Sequence, residues 1–121
     1  MTSLIDMTER EYFAQFALRT GMFVGLPTLG RTAAFLEGYH QAAVRYGKPG
    51  LTGLPEWLAA NHGIEGPVVW WEQLHRIALP DRPADDTPLT PEQEKVVLKL
   101  LFELLDAFLA EREAAADTPV G

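Results

Sequence analysis

Two stretches of this sequence carry residues at a spacing that could do chemistry: Glu37-Gly38-Tyr39-His40 and Glu72-Gln73-Leu74-His75. A Glu-x-x-His pair on a helix places a carboxylate and an imidazole on one face. Di-iron and di-manganese bundles use two such pairs plus a lone Glu from each of two further helices. The ligands of such a site must converge on one point inside the bundle, and here they do not. At 100° per residue His40 falls inside its helix's apolar arc and His75 at the edge of its own. Glu72, however, projects about 170° from the arc centred on Trp70, Leu74 and Ala78. The flanking helices offer no inward Glu, since Glu103 lies on a polar stripe. Surface carboxylates beside a histidine are therefore the preferred reading, and no metal or cofactor is expected. A metal- or small-molecule-binding helical domain using Glu37, His40 and His75 stays as the alternative.

Other chemistries find less support. Serine occurs once, at Ser3, so a serine triad is excluded, and with no cysteine there is neither a thiol nucleophile nor a disulfide framework. No Gly-x-x-x-x-Gly-Lys phosphate loop is present. His40 reads as a hydrogen-bonded core histidine, and His62, before Gly63, as a cation at a helix end. Asp85-Asp86 sits in a proline-rich stretch where nothing desolvates a carboxylate. The chain is read as a non-enzyme.

The elements that would position these residues are helices. Thr8 and Glu11 form a capping-box pair at the start of the first. Its apolar face is Tyr12, Phe13, Phe16 and Ala17, and Gly21 closes it. A compact loop, 21–27, follows. Thr28 caps a second helix that reaches about Tyr46 and stops at Gly47, with Leu29, Ala33, Leu36, Tyr39, His40 and Ala43 on one side. A short third helix runs from Pro55 to about Asn61 with Gly63 as cap. The fourth opens at Gly66-Pro67 and ends before Pro80. Its core arc is Trp70, Trp71, Leu74, Ile77 and Ala78, so both tryptophans are expected to be buried; Trp57 lies on a helix too short to orient and is the leading candidate for an exposed aromatic.

Residues 80–90 hold three prolines and read as an exposed connection. Thr90-Pro91-Glu92-Gln93 then starts the last helix strongly. From Val96 to Leu109 its apolar residues span an arc of about 200°, leaving Lys95, Lys99, Glu103 and Asp106 on a narrow polar stripe. Such a helix is surrounded by neighbours, so it is placed at the centre with Val97, Leu101, Leu104, Leu105 and Phe108 in the core. Residues 1–7 and 113–121 are expected to fray. The expectation is an all-α, compact five-helix single domain with a central, largely apolar C-terminal helix.

With 121 residues and a formal charge of −7, the chain is one acidic domain. That charge argues against a nucleic-acid surface. There is no membrane-length apolar run and no basic-then-apolar leader, so a cytoplasmic location is expected. Asp81, Asp85 and Asp86 crowd the connection, and Glu92 and Glu94 follow in the next helix's first turn. Together with Trp57 they are the candidate partner-binding residues. Glu92 and Glu94 also have a structural reason to be there, because carboxylates favour a helix N-terminus.

Arg19-Thr20-Gly21-Met22-Phe23-Val24-Gly25 resembles the Arg-Pro-Gly-Met-Tyr-Ile-Gly segment of the gyrase-type ATPase subunit, but only over seven residues. The Asn-bearing helix and glycine-rich lid of that ATP site are missing. Over a longer span, with Thr28-Leu29, Phe35-Leu36-Glu37-Gly38-Tyr39 and Leu101–Leu109 added, the chain is similar to a loose group of small acidic bacterial helical proteins. It departs from that group at Thr20, where the group has proline. Some members look like immunity proteins that neutralise a toxin encoded nearby. The resemblance implies a non-catalytic protein-binding domain and a basic protein partner such as a toxin. A homodimer seamed by the last helix is the further possibility.

Overall fold

The computed structural model describes residues 3–63, 68–82 and 87–117. Among these the chain forms six helices and no strand: α1 (Glu9–Leu18), α2 (Thr20–Val24), α3 (Leu29–Arg45), α4 (Leu54–His62), α5 (Trp70–Ala78) and α6 (Pro91–Asp117). The all-α class is as expected, with one helix more.

The additional helix is α2, which takes the place of the expected 21–27 loop. Gly21 does not end α1. The break comes at Arg19, whose φ of −133° and ψ of 42° leave the helical region. The Thr20 hydroxyl donates back to the Phe16 carbonyl at 3.1 Å, and the chain resumes as one short helical stretch. Packing explains the restart, since Phe23 and Val24 tuck against the core while Met22 faces outward. Gly25 then turns the chain at φ 79°, with Arg31 Nη1 only 2.9 Å from where a Cβ would stand. Arg31 donates there to the Val24 carbonyl. The positive φ is what calls for glycine at this turn, since the Arg31 tip is the far end of a flexible side chain and can shift.

The expected caps form. Thr8 and Glu11 make the reciprocal capping box, Thr28 accepts from Arg31 N–H, and Thr90 and Gln93 exchange bonds at the head of α6. α5 begins at Trp70 with Val69 as its cap residue, and the expected Gly66-Pro67 start lies outside the described residues. α6 is helical to Asp117, past Arg112, and Glu113 lies 3.7 Å from Arg10 of α1.

α6 is packed against α1, α5 and α3, and α4 packs against α5. Val97, Leu101, Leu105 and Phe108 are buried as expected, joined by Leu98 and Leu109. Leu104 is half-buried, so it belongs to the edge of the core. The aromatic side of the core is centred on Phe16. Its ring lies 4.4 Å from Phe23, 4.9 Å from Phe35 and 5.3 Å from Phe102, tying α1, α2, α3 and α6 together. No described helix is long and apolar enough to cross a membrane.

Candidate functional site

The two Glu-x-x-His pairs have different surroundings. In the first, both side chains hold the scaffold together. Glu37 Oε1 accepts from the Trp70 indole N–H at 2.6 Å, joining α3 to α5. His40 Nδ1 accepts from the Leu51 backbone N–H at 2.9 Å, which fixes its proton on Nε2 and anchors the loop after α3. In the second, Glu72 is exposed, 3.9 Å from His75 Nδ1 and 4.0 Å from Arg76 Nε. No group of three or more His, Asp or Glu among the described residues is placed to hold a metal ion.

His75 and Glu72 instead line a cleft of about 710 Å³ between the start of α3, one side of α5 and the chain around 79–82 and 87–89. Its α5 wall is Trp71, Glu72, His75 and Arg76; Glu94 lines it from α6. Trp71 is 36% exposed, which corrects the expected burial of both tryptophans. Trp70 takes the core position, and Trp71 stands edge-on to it with ring centroids 5.4 Å apart. Neighbouring helices cover only one side of this nine-residue helix. The sequence did hold a signal for Trp71, because His75 follows it at i+4 and Glu72 and Arg76 flank it, marking the polar border of the helix. Two cations at the cleft are engaged: Arg82 donates to the Thr87 carbonyl and Arg76 reaches Glu72.

Of the six residues expected to bind a partner, the four that are described do not form one patch. Asp81 is exposed beside the cleft, between lining residues Pro80 and Arg82. Asp85 and Asp86 lie outside the described residues. Glu92 is exposed in the first turn of α6, with one oxygen 3.8 Å from Lys95. Glu94 is half-buried and accepts from the Leu29 backbone N–H at 2.7 Å, so it caps the N-terminus of α3 from across the cleft. Its carboxylate satisfies a helix-end donor that has no partner of its own.

Trp57, the leading candidate for an exposed ring, is half-buried. It packs edge-on against Phe108 at 5.7 Å, and its indole N–H donates to Glu111. Phe108 is sixteen residues along α6 from Glu92, roughly 24 Å at the helical rise. Trp57 thus packs on α6 well away from Glu92 and Glu94 in its first turn.

A second concavity, a groove of about 940 Å³, lies between α1 and α6 and shares no lining residue with the cleft. Its charged α6 residues, Lys95, Lys99, Glu103 and Asp106, are the narrow polar stripe expected from the sequence. Compared with known proteins, the chain matches no family model, no curated protein and no solved structure.

Proposed function

We propose that this chain is a non-catalytic protein-binding domain, and more specifically a cytoplasmic immunity protein that neutralises a basic bacterial toxin docked at the α3–α5 cleft. The observation that carries the reading is Trp71, a large ring standing partly in solvent on a concave wall beside a carboxylate, Glu72. Trp is the residue type most enriched at interface hot spots. A partner's Arg or Lys laid over its face would gain a cation–π contact there and a carboxylate at the ring's side. Asp81 stands beside the cleft and Glu94 lines it, and Asp85 and Asp86 add negative charge to the same part of the sequence. A field of that sign speeds encounter with a basic partner. The resemblance of Arg19–Gly25 and Phe35–Tyr39 to immunity-like bacterial proteins points the same way. In the metal-binding alternative, by contrast, two of the four motif side chains are already engaged in bonds between elements.

The test begins with the reading frame next to the gene. Expressed alone it should arrest growth, and co-expression of this chain should relieve the arrest. In calorimetry with the purified pair, Trp71→Ala should weaken binding by about 30-fold or more, the loss of a 2 kcal/mol hot spot, with melting unchanged. A harmless neighbour, or a Trp71→Ala variant that binds as the parent does, overturns the reading.

A further inference from the structure

α1 and α6 run antiparallel, as Arg10 against Asp106 and Phe16 against Phe102 together require. The open groove between them has an apolar floor that includes Ala14, Ala17, Leu98 and Phe102. At one end Leu18 stands 80% exposed. Along the α6 wall the charged side chains read Lys95, Lys99, Glu103, Asp106. Spacings of four, four and three keep them on one face. Their order is two cations, then two anions. Neither Lys99 nor Glu103 makes an ion pair among the described residues.

We propose that this face docks a second copy of the chain, two-fold related, with α6 antiparallel to α6. A two-fold interface is self-complementary: whatever stands a given distance before the axis meets what stands the same distance after it. Lys95 lies as far before the Leu100–Leu101 peptide as Asp106 lies after it. Lys99 and Glu103 are centred on Leu101, within one residue of the same point, roughly 1.5 Å along a helix. An axis there sets each lysine of one copy opposite a carboxylate of the other. Parallel pairing would set cation against cation. The acidic end of the groove agrees in sign, while Lys95 at the other end lies 3.8 Å from Glu92 of its own helix. Arg10 is bonded to Asp106 at 2.8 and 3.0 Å, yet that end holds three carboxylates, Glu103, Asp106 and Glu113, against one guanidinium. Leu98 and Phe102 fall close to the axis, where the apolar floor of one copy meets that of the other. Leu18 then covers the outer edge.

Sedimentation velocity on the purified full chain across a dilution series tests this. The parent chain should dimerise, less tightly at raised salt. Lys99→Glu and Glu103→Lys each place like charges opposite one another twice per dimer, and each should raise the dissociation constant on the order of a hundredfold. The double variant K99E/E103K restores opposite charges across the axis and should dimerise like the parent. Circular dichroism on the same samples checks the fold. Trp71→Ala, on the other concavity, should dimerise normally, so loss of toxin binding and loss of the dimer are separate readouts. A parent chain that is monomeric at every concentration overturns the proposal. So does a dimer indifferent to both single reversals, or a double variant no better than either.

Discussion

The Trp70 indole N–H donates to Glu37 Oε1 at 2.6 Å, and the ring that donates is buried while the carboxylate is half-buried. One bond thus hangs α5 on α3. Glu37→Ala would leave the indole N–H without a partner and should cost about 1.5–3 kcal/mol, the range for hydrogen bonds to charged groups. Glu37→Gln retains an acceptor oxygen and should recover part of that. Urea denaturation of the two variants is the check; a Glu37→Ala chain as stable as the parent would show that the bond contributes nothing net.

The same use of lone pairs bears on metal binding. Glu37 and His40 Nδ1 are engaged by Trp70 and Leu51, so added zinc or manganese should leave Tm where it was. A ligand that bound the folded state selectively would raise it. A metal-dependent rise that disappears in His40→Ala would mean that the two motifs converge after all.

Gly50 and Gly47 separate two costs that often come together. Both have positive φ, 54° and 76°. Gly47 has open space where a Cβ would go, so Gly47→Ala should cost only the left-handed backbone penalty, about 1–2 kcal/mol. At Gly50 a Cβ would stand 2.8 Å from His40 Nδ1 and 3.2 Å from both the Ala43 Cβ and the His40 carbonyl. The Gly50 carbonyl also accepts from Arg112 at 2.8 Å, and that guanidinium lies over the Phe108 ring. Gly50→Ala should therefore exceed Gly47→Ala by about 1–3 kcal/mol, the usual cost of overpacking. Paired thermal melts decide it, and equal losses would mean that the loop moves aside freely.

Much of this architecture was legible from local signals. Thr8, Thr28 and Thr90 announced their helices because a cap and the donors it satisfies lie within three residues of each other. The buried line of α6 followed from its period. What was hidden depends on distant residues. Glu94 caps α3 across 65 positions, and nothing near it in sequence says so. α2 exists because Phe23 and Val24 have a core to enter; by local rules, Gly21 only looked like a stop. A helical wheel shows that Trp70 and Trp71 share an arc. It does not show how wide an arc the neighbours cover, and that width alone puts Trp71 on the cleft wall. Residue type and charge marked the six candidates, but where Trp57 and Glu94 sit depends on Phe108, Glu111 and Leu29, all distant in sequence.

Leu101 and Leu104 test the breadth of the core around α6. Leu101 is fully buried and should lose about 2–5 kcal/mol on replacement by alanine, as cavity-forming truncations do. Leu104 is half-buried beside the same cluster, so Leu104→Ala should fall below that range. Chemical denaturation of both would reveal an error if the order were reversed.

Acid and alkali should act through two different side chains, Asp106 on α6 and Tyr12 on α1. The Arg10 guanidinium bonds both oxygens of Asp106 and holds its carboxyl below the ordinary 3.8, against a smaller opposing effect of burial. A pKa depressed by folding means that the folded state binds fewer protons. The stabilisation is therefore complete above about pH 3.8 and is lost as pH falls through the folded value. Tyr12 works in the opposite direction. Burial among Phe13, Phe23 and Tyr39, with the Glu9 charge adding to it, pushes its phenol above 10.0. That contribution is complete below pH 10.0 and fades as pH rises through the folded value. Stability should accordingly respond to Asp106→Asn on the acid side and to Tyr12→Phe on the alkaline side. Carbon-detected titration should place Asp106 below 3.8 and Tyr12 above 10.0. The Arg10–Asp106 pair is solvent-exposed, so salt should move the Asp106 midpoint back toward its ordinary value. An Asp106 midpoint at or above 3.8 in low salt would mean that the guanidinium does not hold the carboxylate in solution.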